Sequence, residues 1–171
     1  MKQDNVPMPL PEKKVSERLT LRKGEKLRHR TLVDALFSEG KNIYEYPIRM
    51  TWRLLDETSL KSEFRDRPPA RIDRVQMLVT VPKKKRRKAV DRVLLRRRIR
   101  EAYRLNRLEL KRTVNQIPEI GTLSLAFIYL HNQNEDYHLI ERKMKCVIDK
   151  LVDKLKVKYL KKSEADTTAE D

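Results

Sequence analysis

A small α+β domain with two layers, a sheet and the helices packed on it, is predicted for this chain by two hydrophobic periods that succeed one another along it. Alternation with period two occurs at 46–55, and short apolar runs occur at 75–81 and 123–130. Apolar positions recur at helical spacing within 26–39, 89–112 and 137–159. The expected order is α-β-β-β-α-β-α around an antiparallel-to-mixed sheet. At 171 residues the chain is long enough for one such core and not for two.

Residues 1–17 carry prolines and charges without an apolar period, so little burial offsets the cost of ordering them, and a mobile tail is expected. The domain proper is expected over 18–160. In Lys26 to Glu39, residues Leu27, Leu32, Val33, Leu36 and Phe37 share one helical face, and Gly40 follows as a stop. From Tyr46 to Leu55, Ile48, Met50, Trp52 and Leu54 alternate with Arg49, Thr51 and Arg53, which gives a strand with one apolar and one polar face. Residues 56–73 lose the alternation and contain Pro68-Pro69, so a long loop insertion is expected there. Val75 to Val81 is the next strand, ended by Pro82.

A helix from Ala89 to about Arg112 follows, then Pro118 and Gly121 as punctuation, then a strand from Leu123 to Leu130. The last helix, Tyr137 to Tyr159, carries Ile140, Met144, Val147, Ile148, Leu151, Val152 and Leu155 on one side. Residues 161–171, acidic and polar toward the end, are expected to be disordered. Cys146, the single cysteine, has no intrachain partner and suits a packed thiol.

Charge narrows the function classes. Lys plus Arg number 41 against 25 Asp plus Glu, a formal net charge of +16, and such an excess favours a polyanionic partner, nucleic acid first. No run approaches the roughly 18 apolar residues of a spanning helix, and the start lacks the apolar core of a signal peptide. A cytoplasmic protein without a membrane partner is the expectation.

The most informative stretch is KKKRRKAVDRVLLRRRIREAYR, Lys83 to Arg104, whose acids are Asp91 and Glu101 alone. With Arg92 at zero and about 100° per residue, Leu95, Ile99, Ala102, Tyr103 and Leu110 fall in one stripe. Arg96, Arg97, Arg100, Arg104 and Arg107 spread over a neighbouring sector. A merely solvated helix generally mixes both signs, whereas a face of one sign repels itself unless an anion screens it. Arginine suits phosphate because its planar fork donates paired hydrogen bonds. Val93 and Leu94, at about 100° and 200°, lie outside the apolar stripe and interrupt the pattern.

These segments resemble the bacterial ribonuclease P protein family, from about Leu19 to Leu155. LTLRKGEKLRHRTLVDALFSEGK is similar to the family's opening, with a Phe-x-x-Gly ending at Phe37 to Gly40. VTVPKKKRRKAVDRVLLRRRIREAYRLNR resembles the family's strand, Lys-Lys loop and R-N-R-x-K-R-x-x-R-E-A-x-R helix at Lys83, Lys84, Ala89, Arg92, Arg96, Arg97, Arg100, Glu101, Ala102 and Arg104. It departs at Val93 and Leu94, where the family has Asn and Arg, at Val33, where an aromatic is frequent, and in the 56–73 insertion.

The resemblance implies a two-layer α/β sandwich of ribosomal protein S5 domain 2-like type and a partner that is itself the catalyst. Carried over by position, contacts to the catalytic RNA fall to Lys83, Lys84, Lys88, Arg92, Arg96, Arg97, Arg100 and Arg104. A cleft for the single-stranded 5′ leader of precursor tRNA is expected to include Phe37, with Arg49, Thr51 and Arg53 from the polar strand face; core packing is an equal alternative for Phe37. No protein catalytic constellation is visible: His29, His131 and His138 lack metal-ligand spacing, and there is no Gly-rich phosphate loop or CxxC pair. The implied chemistry is RNA-catalysed endonucleolytic hydrolysis, with Mg²⁺ bound mainly by the RNA. The rivals are a structural RNA-binding protein of ribosomal type and a DNA-binding protein. Recognition helices that read base edges usually carry Asn, Gln, Ser or Thr, and this face is nearly all arginine.

Overall fold

In the computed structural model the described residues are 20–65, 69 and 72–160. The two tails expected at 1–17 and 161–171 lie outside them. Four strands form one sheet in the order β1-β2-β4-β3, with β1 Lys41–Glu45, β2 Ile48–Leu55, β3 Val75–Thr80 and β4 Thr122–Tyr129. β1, β2 and β4 pair antiparallel, and β3 lies parallel to β4. The helices are α1 Arg30–Glu39, α2 Glu57–Glu63, α3 Ala89–Asn106, α4 Leu108–Gln116 and α5 Tyr137–Leu155, the last followed by a π-helical turn, Lys156–Leu160. The mixed sheet and the α+β class are as the sequence predicts.

The main core lies between one sheet face and α3, α4 and α5. Met50, Trp52, Met77, Leu125 and Phe127 from the sheet meet Leu95, Ile99, Leu110, Met144, Ile148 and Leu151 from the helices, all buried. A smaller cluster on the opposite face joins Leu32 and Leu36 of α1 to Leu55 and Ala126, with Leu60 and Phe64 packed on it. β4, central and covered on both faces, is buried at every residue, which is why its sequence is a continuous apolar run with little alternation.

Three expectations are corrected and one strand is added. α1 begins at Arg30 and not at Lys26, because the preceding residues are captured by the edge of β3: the Leu27 amide donates to the Met77 carbonyl (2.9 Å) and the Met77 amide to the Glu25 carbonyl (2.8 Å). Leu27 is buried there without being helical. Residues 56–73 are not all loop. Asp56 caps α2 by accepting from the Ser59 amide, and Leu60 and Phe64 give that helix an apolar side to bury. The added strand is β1, which has no apolar alternation to announce it because its only buried residue is Ile43. The helix expected over 89–112 divides at Arg107 into α3 and α4, where the Asn106 side chain donates to the Ala102 carbonyl (2.8 Å) and competes with the backbone ladder.

Gly40 ends α1 for a reason other than backbone freedom. Its φ of −68° is open to any residue. A Cβ there would stand 2.2 Å from the Leu36 carbonyl oxygen and 2.6 Å from Thr51 Cγ2. The glycine lets the end of α1 lie directly on β2.

Candidate nucleic-acid interface

Strand β3 delivers the chain into the loop 83–88, which bends at Pro82, whose carbonyl accepts from the Lys85 and Arg86 amides (3.0 Å each). The loop is braced from inside. Arg86 pairs with Asp91 and donates to the Asn132 carbonyl, while Arg92 donates to the carbonyls of Arg86 (3.0 Å) and Arg87. Asn134 donates to Asp91 (3.0 Å), and this bond together with Arg86 holds the Asp91 carboxyl below the usual carboxylate range against partial desolvation. Lys83, Lys84, Lys85, Arg87 and Lys88 are thereby left exposed. A hollow of about 490 Å³ opens between Lys84, Lys85, Arg87, Lys88 and Asn132.

Along α3, Leu95, Ile99, Ala102 and Tyr103 are buried, as the wheel predicts, and the arginines sort by partner. Arg97 and Arg100 are exposed and Arg96 is half-buried; none of the three side chains is hydrogen-bonded or ion-paired to another described residue. Arg104 forms a bidentate pair with Glu101 (2.9 and 2.6 Å). Arg98 donates to the Glu135 carbonyl (2.6 Å) and ties α3 to the loop before α5.

Arg107 is removed from the surface altogether. It is buried to 1% exposure, paired with Glu25 at 2.6 Å and bonded to the Thr20 carbonyl at 2.9 Å. The wheel placed it in the cationic sector because it assumed one unbroken helix.

Of the eight residues expected at the RNA surface, Lys83, Lys84, Lys88, Arg97 and Arg100 are exposed and Arg96 is half-buried, Arg104 is half-buried and paired with Glu101, and Arg92 serves mainly to shape the loop. Val93 and Leu94 are 40% and 38% exposed, beside Val90 at 78%. They form an apolar interruption of the basic face at the two positions the pattern had marked.

A cavity of about 600 Å³ lies next to this face, at the edge of β3 that residues 25–27 cover. Leu21, Leu27 and Val79 are among its apolar lining, and Lys26, Arg28, Arg97, Arg100 and the paired Glu101 and Arg104 are its charged lining. Lys26 and Arg28 are absent from the expected set. Their neighbours Leu27 and Leu32 look helical in sequence, and it is the pairing of residues 25–27 with Met77 of β3 that sets them beside α3.

On the other sheet face, Phe37 at the end of α1 is 48% exposed, so it is not a core residue. Arg49 is half-buried, and its Nε has no partner among the described residues. The remaining two candidates are occupied. Thr51 is 3% exposed and donates its hydroxyl to Asn42 (2.7 Å). Arg53 is held between Glu39 (2.8 Å) and Glu63 (2.6 Å), its side chain 16% exposed. Glu63 stands there because α2 replaces the expected loop. Of the four residues expected in a cleft, Phe37 and Arg49 are the ones not so engaged, and Tyr44, the cross-strand neighbour of Arg49, is exposed.

Residues 21–152 match the family model for Ribonuclease P, which is most of the chain. The chain belongs to the ribonuclease P protein family. The ribonuclease P protein components of two strains of Porphyromonas gingivalis are each 34% identical to it over 124 residues, 72% of this chain and 80% of theirs. The fold is also that of the Staphylococcus aureus RNase P protein, with a TM-score of 0.52 at 14% identity over 74% of this chain and 94% of that one. Membership implies an RNA partner for the chain. No described helix is long and apolar enough to cross a membrane.

Proposed function

We propose that this chain is the cytoplasmic protein subunit of a ribonucleoprotein endonuclease that removes the 5′ leader from precursor tRNA, the chemistry being carried out by the catalytic RNA. The observation that carries the reading is the row of arginines Arg96, Arg97 and Arg100, without partners among the described residues. It continues the exposed loop cations Lys83, Lys84 and Lys88 on one side of a helix whose other side is core. Counter-ion release from phosphates supplies affinity there, and guanidinium forks fix orientation.

The protein's part is positional. Cations on α3 and its loop dock the catalytic RNA, and the sheet face bearing Phe37 and Arg49 receives the leader, so that two polyanions are held together with less repulsion. Mg²⁺ held mainly by the RNA partner would activate water and stabilise the leaving oxygen.

The test is cleavage of 5′-labelled precursor tRNA at low Mg²⁺ by the cognate catalytic RNA, with and without the protein, beside a protein-only control. Stimulation that needs the RNA is expected. Cleavage by the protein alone, or no stimulation despite binding, would overturn the proposal.

A further inference from the structure

One end of the sheet gathers three loops: the β1–β2 turn with Tyr46, the loop 82–88, and the loop from Leu130 to Asp136. Tyr46 is 56% exposed, yet its ring is fixed. Its hydroxyl is hydrogen-bonded to His131 Nδ1, and the two rings meet edge to face at 5.3 Å between centroids and 78° between planes. His131 Nε2 in turn lies 3.3 Å from Glu135 Oε1. The three groups are mutually satisfied when the phenol donates to Nδ1 and the Nε2–H donates to the carboxylate.

An exposed aromatic ring is ordinary on a protein surface. A ring anchored through its hydroxyl is less so, because ordering a free side chain on binding costs entropy that this anchor has already removed. The setting is cationic as well. Asn132, next to His131, accepts from Arg86 of the basic loop, which places Lys84, Lys85 and Arg87 on the adjoining surface. On the strand leading into the turn, Tyr44 is 59% exposed and is the cross-strand partner of Arg49. A ring with a free face beside flexible ammonium and guanidinium groups is the arrangement that binds an unpaired nucleotide, base on ring and phosphates on cations.

We infer that Tyr46, locked by His131 and Glu135, is a stacking platform for one unpaired nucleobase, which extends the RNA-binding surface from the loop 83–88 toward the exposed end of the sheet. The inference rests on the reading of this chain as an RNA-binding subunit. The base belongs to single-stranded RNA, supplied either by the leader of the substrate or by an unpaired segment of the catalytic RNA.

The test compares full-length wild type, Tyr46→Ala, Tyr46→Leu and Tyr46→Phe, each checked for native circular dichroism. Affinity is measured in two arms: protein for the cognate catalytic RNA alone, and the assembled complex for precursor tRNA with a leader against the same RNA without one. Tyr46→Ala and Tyr46→Leu are expected to weaken one arm about tenfold, and Tyr46→Phe, which keeps the ring, to lose much less. A loss confined to leader-bearing substrate identifies the leader as the source, and a loss in the first arm identifies the catalytic RNA. Wild-type affinity for Tyr46→Ala and Tyr46→Leu in both arms overturns the platform. Absence of RNA binding by the wild type overturns the broader reading instead, so the two failures are distinct.

Discussion

Glu25 is the residue on which the junction of α3 and α4 depends. Its carboxylate, 1% exposed, meets Arg107 and Lys111 at 2.6 Å each. Burial works against its charge, but hydrogen bonds from Lys111, the Arg22 amide and Arg107 prevail and hold the carboxyl below its ordinary value of 4.5. A folded-state pKa below the unfolded one gives stability that is present above the unfolded value and lost as pH falls through the folded one. Glu25→Ala, which strands the buried Arg107, is expected to cost about 3 kcal/mol in urea unfolding at neutral pH. Its deficit relative to wild type should shrink as pH drops below 4.5; a deficit independent of pH would contradict the assignment. Val93 and Leu94 carry a different expectation. Both side chains are exposed, so Val93→Asn with Leu94→Arg should leave the fold intact and tighten binding to the catalytic RNA at moderate salt. The added guanidinium should steepen the salt dependence by about 0.7 to 0.9 in log–log slope if it reaches a phosphate. Equal affinities and slopes in a salt titration would show that these positions face no RNA.

Among the elements, α1 is set by contact more than by its own sequence. Leu32 and Leu36 bury one side of it against Leu55 and Ala126, and Gly40 permits the approach of its last turn to Thr51. Gly40→Ala is therefore expected to lower stability by about 1–3 kcal/mol through overpacking, read as a drop in thermal midpoint. An unchanged midpoint would mean that the helix end can shift at no cost. Phe37 rides on the same turn, so that substitution should also weaken leader binding if the cleft reading holds. The α2 helix shows how one element changes another's role: by bringing Glu63 to Arg53 at 2.6 Å, it converts a candidate leader contact into an internal ion pair.

As a whole the molecule carries a formal net charge of +16, and the cations of α3 and the adjoining loop stand together on one side. Self-repulsion opposes compaction, and anions that bind the folded state relieve it. Millimolar phosphate or sulfate is expected to raise the thermal midpoint more than chloride at equal ionic strength. Identical midpoints would indicate that the arginine face does not concentrate anions. Sulfate also strengthens apolar burial in general, so Arg97→Gln with Arg100→Gln serves as the control and should remove most of the difference.

The local pattern was enough for the helical faces of α3 and α5, the strands at 75–80 and 122–129, the basic loop and the anomaly at Val93 and Leu94. Each of these rests on a period or a charge run contained within one segment. The family resemblance was legible there for the same reason. What the pattern could not supply involves partners distant in the chain. Leu27 has helical spacing but pairs with Met77 across the sheet edge. Arg107 has the charge of a surface residue but is bonded to Glu25, 82 positions away. Thr51 and Arg53 alternate correctly for an open strand face, yet Asn42, Glu39 and Glu63 occupy them. Tyr46 and His131 lie 85 positions apart and have no joint signature in the sequence. Periodicity fixes which side of an element is apolar, but the partner that a polar group meets depends on where other elements dock, and that is a property of the folded chain.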